Sequence, residues 1–265
     1  MAETTRTQTS PRRHIFIILG IAFFLIVMEV WGNYPDTATS LERLELAAGD
    51  ASLWIRGRTP PNEDIVIVAF DDKSLAEERE RWPWPRSEFA RIVNWLNEAG
   101  AKVIALDILL FDESADPAED QALAEALNNA NAAVSVNQIF ISKEPGGSSV
   151  TNYLPEEMFL EVLDGYGISE VDRDDDAIVR GIKAFETYQD EIYYNWTFEI
   201  VRVYLDIDPP SNTSEVSMTF NGQEIPLNQQ NKMLVNFAGE SQTYPYCPAA
   251  PSLLGSGECD KDTVK

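Results

Sequence analysis

Residues 65–70 read IVIVAF, an unbroken apolar run rich in β-branched side chains, with Pro60 and Pro61 before it and Asp71 and Asp72 after it. An amphipathic strand would alternate, so this run predicts a strand covered on both faces. Downstream, Phe89, Ile92, Val93 and Leu96 fall at helical spacing behind Ser87, a good N-cap, and Gly100 stops the pattern. Residues 102–110, KVIALDILL, predict a second buried strand. Asp116 and Pro117 open another helix, with Glu119 and Asp120 in its first turn and Leu123 and Leu127 one turn apart. Residues 133–141 predict a third strand. Strand, helix, strand, helix, strand is the order of an α/β fold built on a mainly parallel sheet with helices on both faces.

The second half is less regular. Residues 143–152 carry Pro145, Gly146, Gly147, Ser148 and Ser149 and predict a loop. Residues 178–185 predict a strand, and residues 193–205 a helix with Trp196, Ile200 and Tyr204 on one face. Residues 216–220 and 223–227 flank Asn221 and Gly222, the turn dipeptide of a tight hairpin. Residues 233–237 predict a last strand.

Upstream, residues 15–28 read IFIILGIAFFLIVM without a charge, followed by Glu29, Val30 and Trp31. A helix from Ile15 to Trp31 is ~26 Å long at ~1.5 Å per residue, against a hydrocarbon core of ~30 Å. It spans a membrane if Arg12, Arg13 and Glu29 sit at the interfaces, with Trp31 and Tyr34 at the outer one. Basic residues before the run and acidic ones after it place residues 1–14 in the cytoplasm and the main body, residues 41–265, outside the inner membrane. The alternative is a cleaved export leader, since Ser10, Arg12 and Arg13 loosely resemble a twin-arginine signal, although no small-x-small cleavage site follows. Residues 33–40 read as a connector and the leucines after Leu41 as a short helix. Either reading exports the body, where Cys247 and Cys259 can pair or remain two thiols.

Lys and Arg number 20 against 44 Asp and Glu, a net charge of −24. The first 31 residues are +1, which leaves −25 on the rest. Such a surface repels phosphate backbones, so nucleic acid is excluded as a partner. The single histidine, His14, precedes the apolar run, which removes triads, Cys/His dyads and histidine-ligated metal sites from the body. No phosphate-binding glycine loop is present. The chain is expected to hold no cofactor and to catalyse nothing by itself.

Three stretches taken together, IVIVAFDDKSL at 65–75, RWPWPR at 81–86 and GAKVIALDILL at 100–110, resemble a CHASE type 2 domain. Weaker likenesses are AIVRG at 177–181, EIPLN at 224–228 and MLVNFAG at 233–239. The resemblance implies an extracytoplasmic sensory domain of the kind associated with bacterial adenylate or guanylate cyclases, histidine kinases and serine/threonine kinases. Members of that family normally continue into a further strand, membrane helices and an output domain; this sequence stops at Lys265, so the resemblance implies a sensor module cut short.

Asp71 and Asp72 follow the first predicted strand, and Asp107 lies within the second, ahead of Asp112 and Glu113. Carboxylates at the ends of parallel strands suit a hard divalent cation, which makes an exported metal-dependent hydrolase or metal-binding envelope protein the alternative function. Equally, Asp71 can cap a helix near Ser74 while Asp107 accepts local backbone bonds. Trp82 and Trp84 alternate with Pro83 and Pro85, which favours an extended, polyproline-like segment holding the indoles apart, either as a ligand platform or as packing over the sheet edge. Arg81 and Arg86 would then pair with nearby acids. Asp172, Asp174 and Asp176 have the early spacing of an EF-hand loop, but Ala177 stands where glycine is needed and Lys183 where glutamate is needed, so a turn is expected. The expected ligand-binding set is Asp71, Asp72, Lys73, Trp82, Trp84, Arg86 and Asp107, facing a small-molecule or envelope signal, with homodimerisation as a further expectation.

Overall fold

A computed structural model describes residues 11–32, 40–78, 82–144, 147–174, 176–214, 216–228, 230–250, 254–255, 259 and 261. Arg81, Tyr34, Pro145, Gly146 and the last residues of the chain lie outside that set. The chain divides into two compact units, Met1–Arg58 and Thr59–Lys265. The first holds α1 (Pro11–Gly32) and α2 (Ser40–Arg56). Ile15, Phe16, Ile18, Leu19, Ile21, Phe23, Phe24, Ile26 and Val27 of α1 are exposed. Those positions cover only ~20 Å of helix axis against a hydrocarbon core of ~30 Å. Among the described residues no helix is long and apolar enough to cross a membrane, so the transmembrane helix expected over residues 15–31 finds no support there.

The second unit runs β1 (Ile67–Ala69), α3 (Asp72–Glu77), α4 (Arg86–Ala99), β2 (Ile104–Leu109), α5 (Pro117–Asn128), β3 (Ala133–Glu144), β4 (Gly147–Tyr153), α6 (Glu157–Leu160) and β5 (Gly165–Ile168). It continues with β6 (Gly181–Lys183), β7 (Phe185–Tyr188), β8 (Glu191–Tyr194), α7 (Trp196–Leu205), β9 (Ser217–Phe220), β10 (Gln223–Pro226), β11 (Lys232–Leu234) and β12 (Tyr246–Pro248). The fold is mixed α/β, but its sheets are small and not mainly parallel. β3 pairs in parallel with β2 and β5 through its first half, then leaves them and pairs antiparallel with β4 through its second. β1 pairs with β12, in parallel, instead of joining β2. β6–β11, β7–β8 and β9–β10 are antiparallel pairs of strands three or four residues long. β7–β8 and β9–β10 are short strands joined by tight turns that close on their nearest neighbour, whereas β6 and β11 meet from distant parts of the chain.

The run at 65–70 is shorter and more one-sided than expected. Only Ile67–Ala69 form the strand, and Ile65 and Ile67 are exposed. Val68 and Phe70, two residues apart and therefore on the same face, pack on the main core around Leu110, Leu123, Leu127 and Phe159. A continuous apolar run does not distinguish one covered face from two.

Helix ends follow cap chemistry closely. Asp116 accepts from the Ala118 N–H at 3.0 Å with Pro117 in the first position of α5, and Gly100 ends α4 at φ +95°. Ser87 does not cap α4: the helix begins at Arg86 behind Pro85, and the Ser87 N–H donates instead to Glu119 Oε2 of α5, at 2.6 Å. α7 begins later than expected, because Asn195 Oδ1 accepts from the Thr197 N–H and hydroxyl, leaving Tyr193 and Tyr194 in β8. The predicted strand at 178–185 divides at Ala184 into β6 and β7. The predicted loop at 143–152 is a hairpin arm, with Gln138 opposite Tyr153 and Glu144 opposite Gly147. The Asn221–Gly222 hairpin forms as read, with φ of 49° and 72° at the two turn residues.

Candidate functional site

Where β1 ends, Asp71 turns the chain into α3. Its Oδ1 accepts from the Ser74 N–H and hydroxyl, both at 2.7 Å, and Tyr246 of β12 donates to Oδ2 at 3.4 Å. The Ser74 hydroxyl and N–H hold the Asp71 carboxyl below its usual range. Ser74, fully buried, also lies 3.2 Å from the Ala69 carbonyl. Asp71 is thus a cap that ties β1, α3 and β12 together, while Asp72 and Lys73 beside it are exposed.

Phe70, on the same turn, is the hub of an aromatic cluster. Its ring lies 5.6 Å from Trp82, 5.4 Å from Trp84 and 5.4 Å from Phe89. The two tryptophans are not held apart: the Trp82–Pro83 bond is cis and the indoles meet edge on at 5.9 Å. Trp84 is buried in the core, with no hydrogen-bond partner for its indole N–H among the described residues. Trp82 is 51% exposed and forms the outer wall of the cluster.

Arg86 follows directly. Its Nη1 lies 2.7 Å from Asp120 Oδ1, Nη2 donates to the Asp112 carbonyl, and the guanidinium sits 5.0 Å from the Phe159 ring centre. The Nη1 contact is an ion pair without hydrogen-bond alignment. Asp120 is 4% exposed and also accepts from the Ser114 N–H at 2.8 Å and the Ser114 hydroxyl. Trp82, Trp84 and Arg86 are therefore grouped by the segment leading into α4, with only Trp82 extensively exposed. Asp120, Glu119, Phe70 and Tyr246 were not foreseen as members; the acidic first turn of α5 read only as a helix start. Asp107 is exposed on β2, where the register with β3 slips between Leu106 and Leu109. Among the described residues no group of three or more His, Cys, Asp or Glu could hold a metal, so Asp71, Asp72 and Asp107 do not assemble the cation site of the hydrolase reading.

Two acidic regions lie elsewhere. Arg180 clasps Asp174 at 3.0 Å and Asp176 at 2.6 Å, and its hydrogen bond lowers the Asp176 carboxyl to about 2. This is the turn expected from the failed EF-hand pattern, held by an arginine. Glu170 takes the Ile139 N–H at 2.7 Å, just past the point where β3 parts from β5. Burial pushes its carboxyl above the ordinary 4.5, against the pull of the Ile139 N–H and Lys183, while Glu186 and Asp172 add to the rise. The folded chain therefore holds this proton more tightly than the unfolded one, and stability falls as pH rises from 4.5 through the higher folded value. Glu170→Gln keeps the acceptor and removes the titration. Urea midpoints should match wild type below that window, apart from a constant offset, and move in the variant's favour across it. A difference independent of pH would contradict the assignment.

An open depression of about 510 Å³ between Asp206 and Gly222 is lined by none of the residues expected to bind a ligand. The family model described as CHASE2 domain matches residues 19–261, nearly the whole chain. No curated protein and no solved structure matches it.

Proposed function

The chain belongs to the CHASE2 domain family, a family of extracytoplasmic sensory domains, and on that premise we propose that it is the sensory part of a membrane-anchored bacterial receptor controlling a cyclase or kinase output. The match over residues 19–261 carries the reading. In it, the uncharged apolar run at residues 15–28 anchors the chain in the inner membrane with residues 1–14 in the cytoplasm, a reading that rests on the sequence alone. The signal docks at the end of β1 against the exposed face of Trp82, with Asp72 and Lys73 beside it. Trp84, Asp71 and Arg86 form the floor that relays the change into α3 and α4. Binding biases the domain between two arrangements, and the bias passes through membrane helices to the output.

Two experiments test it. Alkaline phosphatase joined after Lys265 should be active in cells, and deletion of residues 11–32 should abolish that activity; a fusion active only as a cytoplasmic reporter overturns the orientation. Joined to the membrane helices and cyclase of another receptor of this family, the chain should set cyclase output, and Trp82→Ala should alter that output while the domain stays folded, with its unfolding midpoint lowered only by the lost ring contacts. Output indifferent to the chain overturns the sensory role.

A further inference from the structure

We propose that β4 is the edge through which two copies of this chain pair, antiparallel and across a two-fold axis. β4 runs along the outer half of β3, and among the described residues no strand pairs with its other edge. Strands left open in this way usually carry a lysine, a proline or a bulge that discourages pairing. β4 reads GSSVTNY and carries no charge and no proline. Asp107 marks β2, Glu191 marks β8, Glu224 marks β10, Lys232 marks β11 and Pro248 marks β12; β1, β5 and β9 also carry neither charge nor proline but are three or four residues long against seven in β4.

Charge selects the occupant. A basic partner would be drawn to the acid-rich surface and not to a neutral strand. Two copies of a chain of net charge −24 repel wherever their acidic surfaces meet, and a seven-residue strand without charge lets them approach without that penalty. The flank is apolar: Phe140 is 53% exposed, Val150 39% and Tyr153 36%, and the Tyr153 ring packs tilted against Phe111 at 4.9 Å and edge-on against Phe140 at 6.0 Å. Antiparallel pairing of identical strands is self-complementary. Centred on Val150, it sets Val150 against the partner's Val150 and Thr151 against the partner's Ser149. One strand pair covers less than the ~1,200 Å² of a standard interface, so the contact is weak and reversible in solution.

The test uses the purified full chain with its native disulfide intact. Single cysteines are placed in turn at Ser148, Ser149, Val150, Thr151 and Asn152, with Ser241→Cys, outside the hairpin, as the reference. Mild oxidation should give a covalent dimer with a yield that peaks at one β4 position and falls away on either side, and no dimer from Ser241→Cys. Lysine placed two residues from the best position should abolish the dimer. Equal yields at every β4 position and at Ser241→Cys would overturn the proposal. If a cysteine variant fails to fold, sedimentation decides: a reversible dimer of the unmodified chain that Val150→Lys abolishes supports the proposal, and a monomer at every concentration, or a dimer that Val150→Lys leaves unchanged, overturns it.

Discussion

Asp120→Ala should lower the stability of the folded domain by about 3–5 kcal/mol, the usual cost of removing one partner from a buried ion pair. The size follows from what is left behind. Arg86 would keep its position over the Phe159 ring and its bond to the Asp112 carbonyl but lose the acid opposite its Nη1, and the Ser114 N–H would lose its acceptor. Both members are shielded, Asp120 at 6% and Arg86 at 15% side-chain exposure, so solvent cannot replace the missing partner cheaply. Asp120→Asn keeps an acceptor for Ser114 without the charge and should cost less. Arg86→Met combined with Asp120→Leu removes both charges and should recover a large part of the loss. Urea unfolding of the four proteins measures this; a double variant no more stable than Asp120→Ala would show that the pair is worth more than the desolvation it requires. Because Arg86 directly follows the segment carrying Trp82 and Trp84, the same variants separate the firmness of that wall from its chemistry.

The parts of this fold legible in the sequence are those set by local chemistry. The Asp116–Pro117 start, the Gly100 stop and the Asn221–Gly222 turn each state their geometry in one or two residues, and each forms as read. What depends on distant partners was not legible. Nothing in IVIVAF says that its neighbour is Tyr246–Pro248, more than 170 residues away, or that only the Val68 and Phe70 face is covered. The polar stretch after Lys143 reads as loop by composition, yet each residue of β4 finds a partner on β3, whose own run is long enough to carry it. The family was legible in three short stretches. The candidate site was legible in part: Trp82, Trp84 and Arg86 belong together, but Asp71 serves as a cap and Asp107 lies apart on β2, because several aspartates near strand ends meet only if the strands share one sheet.

Breaking the Cys247–Cys259 bond should cost about 3 kcal/mol, the chain entropy regained by opening a loop whose ends are 12 residues apart. The loss should not be uniform. Cys247 sits at the centre of β12, opposite Val68, and β12 is the only strand paired with β1 among the described residues. The Ile67 N–H to the Pro245 carbonyl at 2.9 Å and the Ala249 N–H to the Ala69 carbonyl at 2.8 Å complete that ladder, and the neighbouring Tyr246 reaches Asp71. A free C-terminal segment would hold these bonds only by its own packing, chiefly through Ala249 and Ala250 in the main core. Dithiothreitol should therefore lower the urea midpoint of the wild-type chain, and Cys247→Ala with Cys259→Ala should reproduce the lowered value and ignore the reductant. Amide exchange at Ile67, Val68 and Ala69 should quicken well before exchange in β2 and β3, since the parallel pairing of those strands does not pass through β12. Equal acceleration across β1, β2 and β3 would mean that the bond holds the whole domain and not the β1–β12 pair. In that case Asp71, tied to both Ser74 and Tyr246, could not report locally on the state of the chain's C-terminal end.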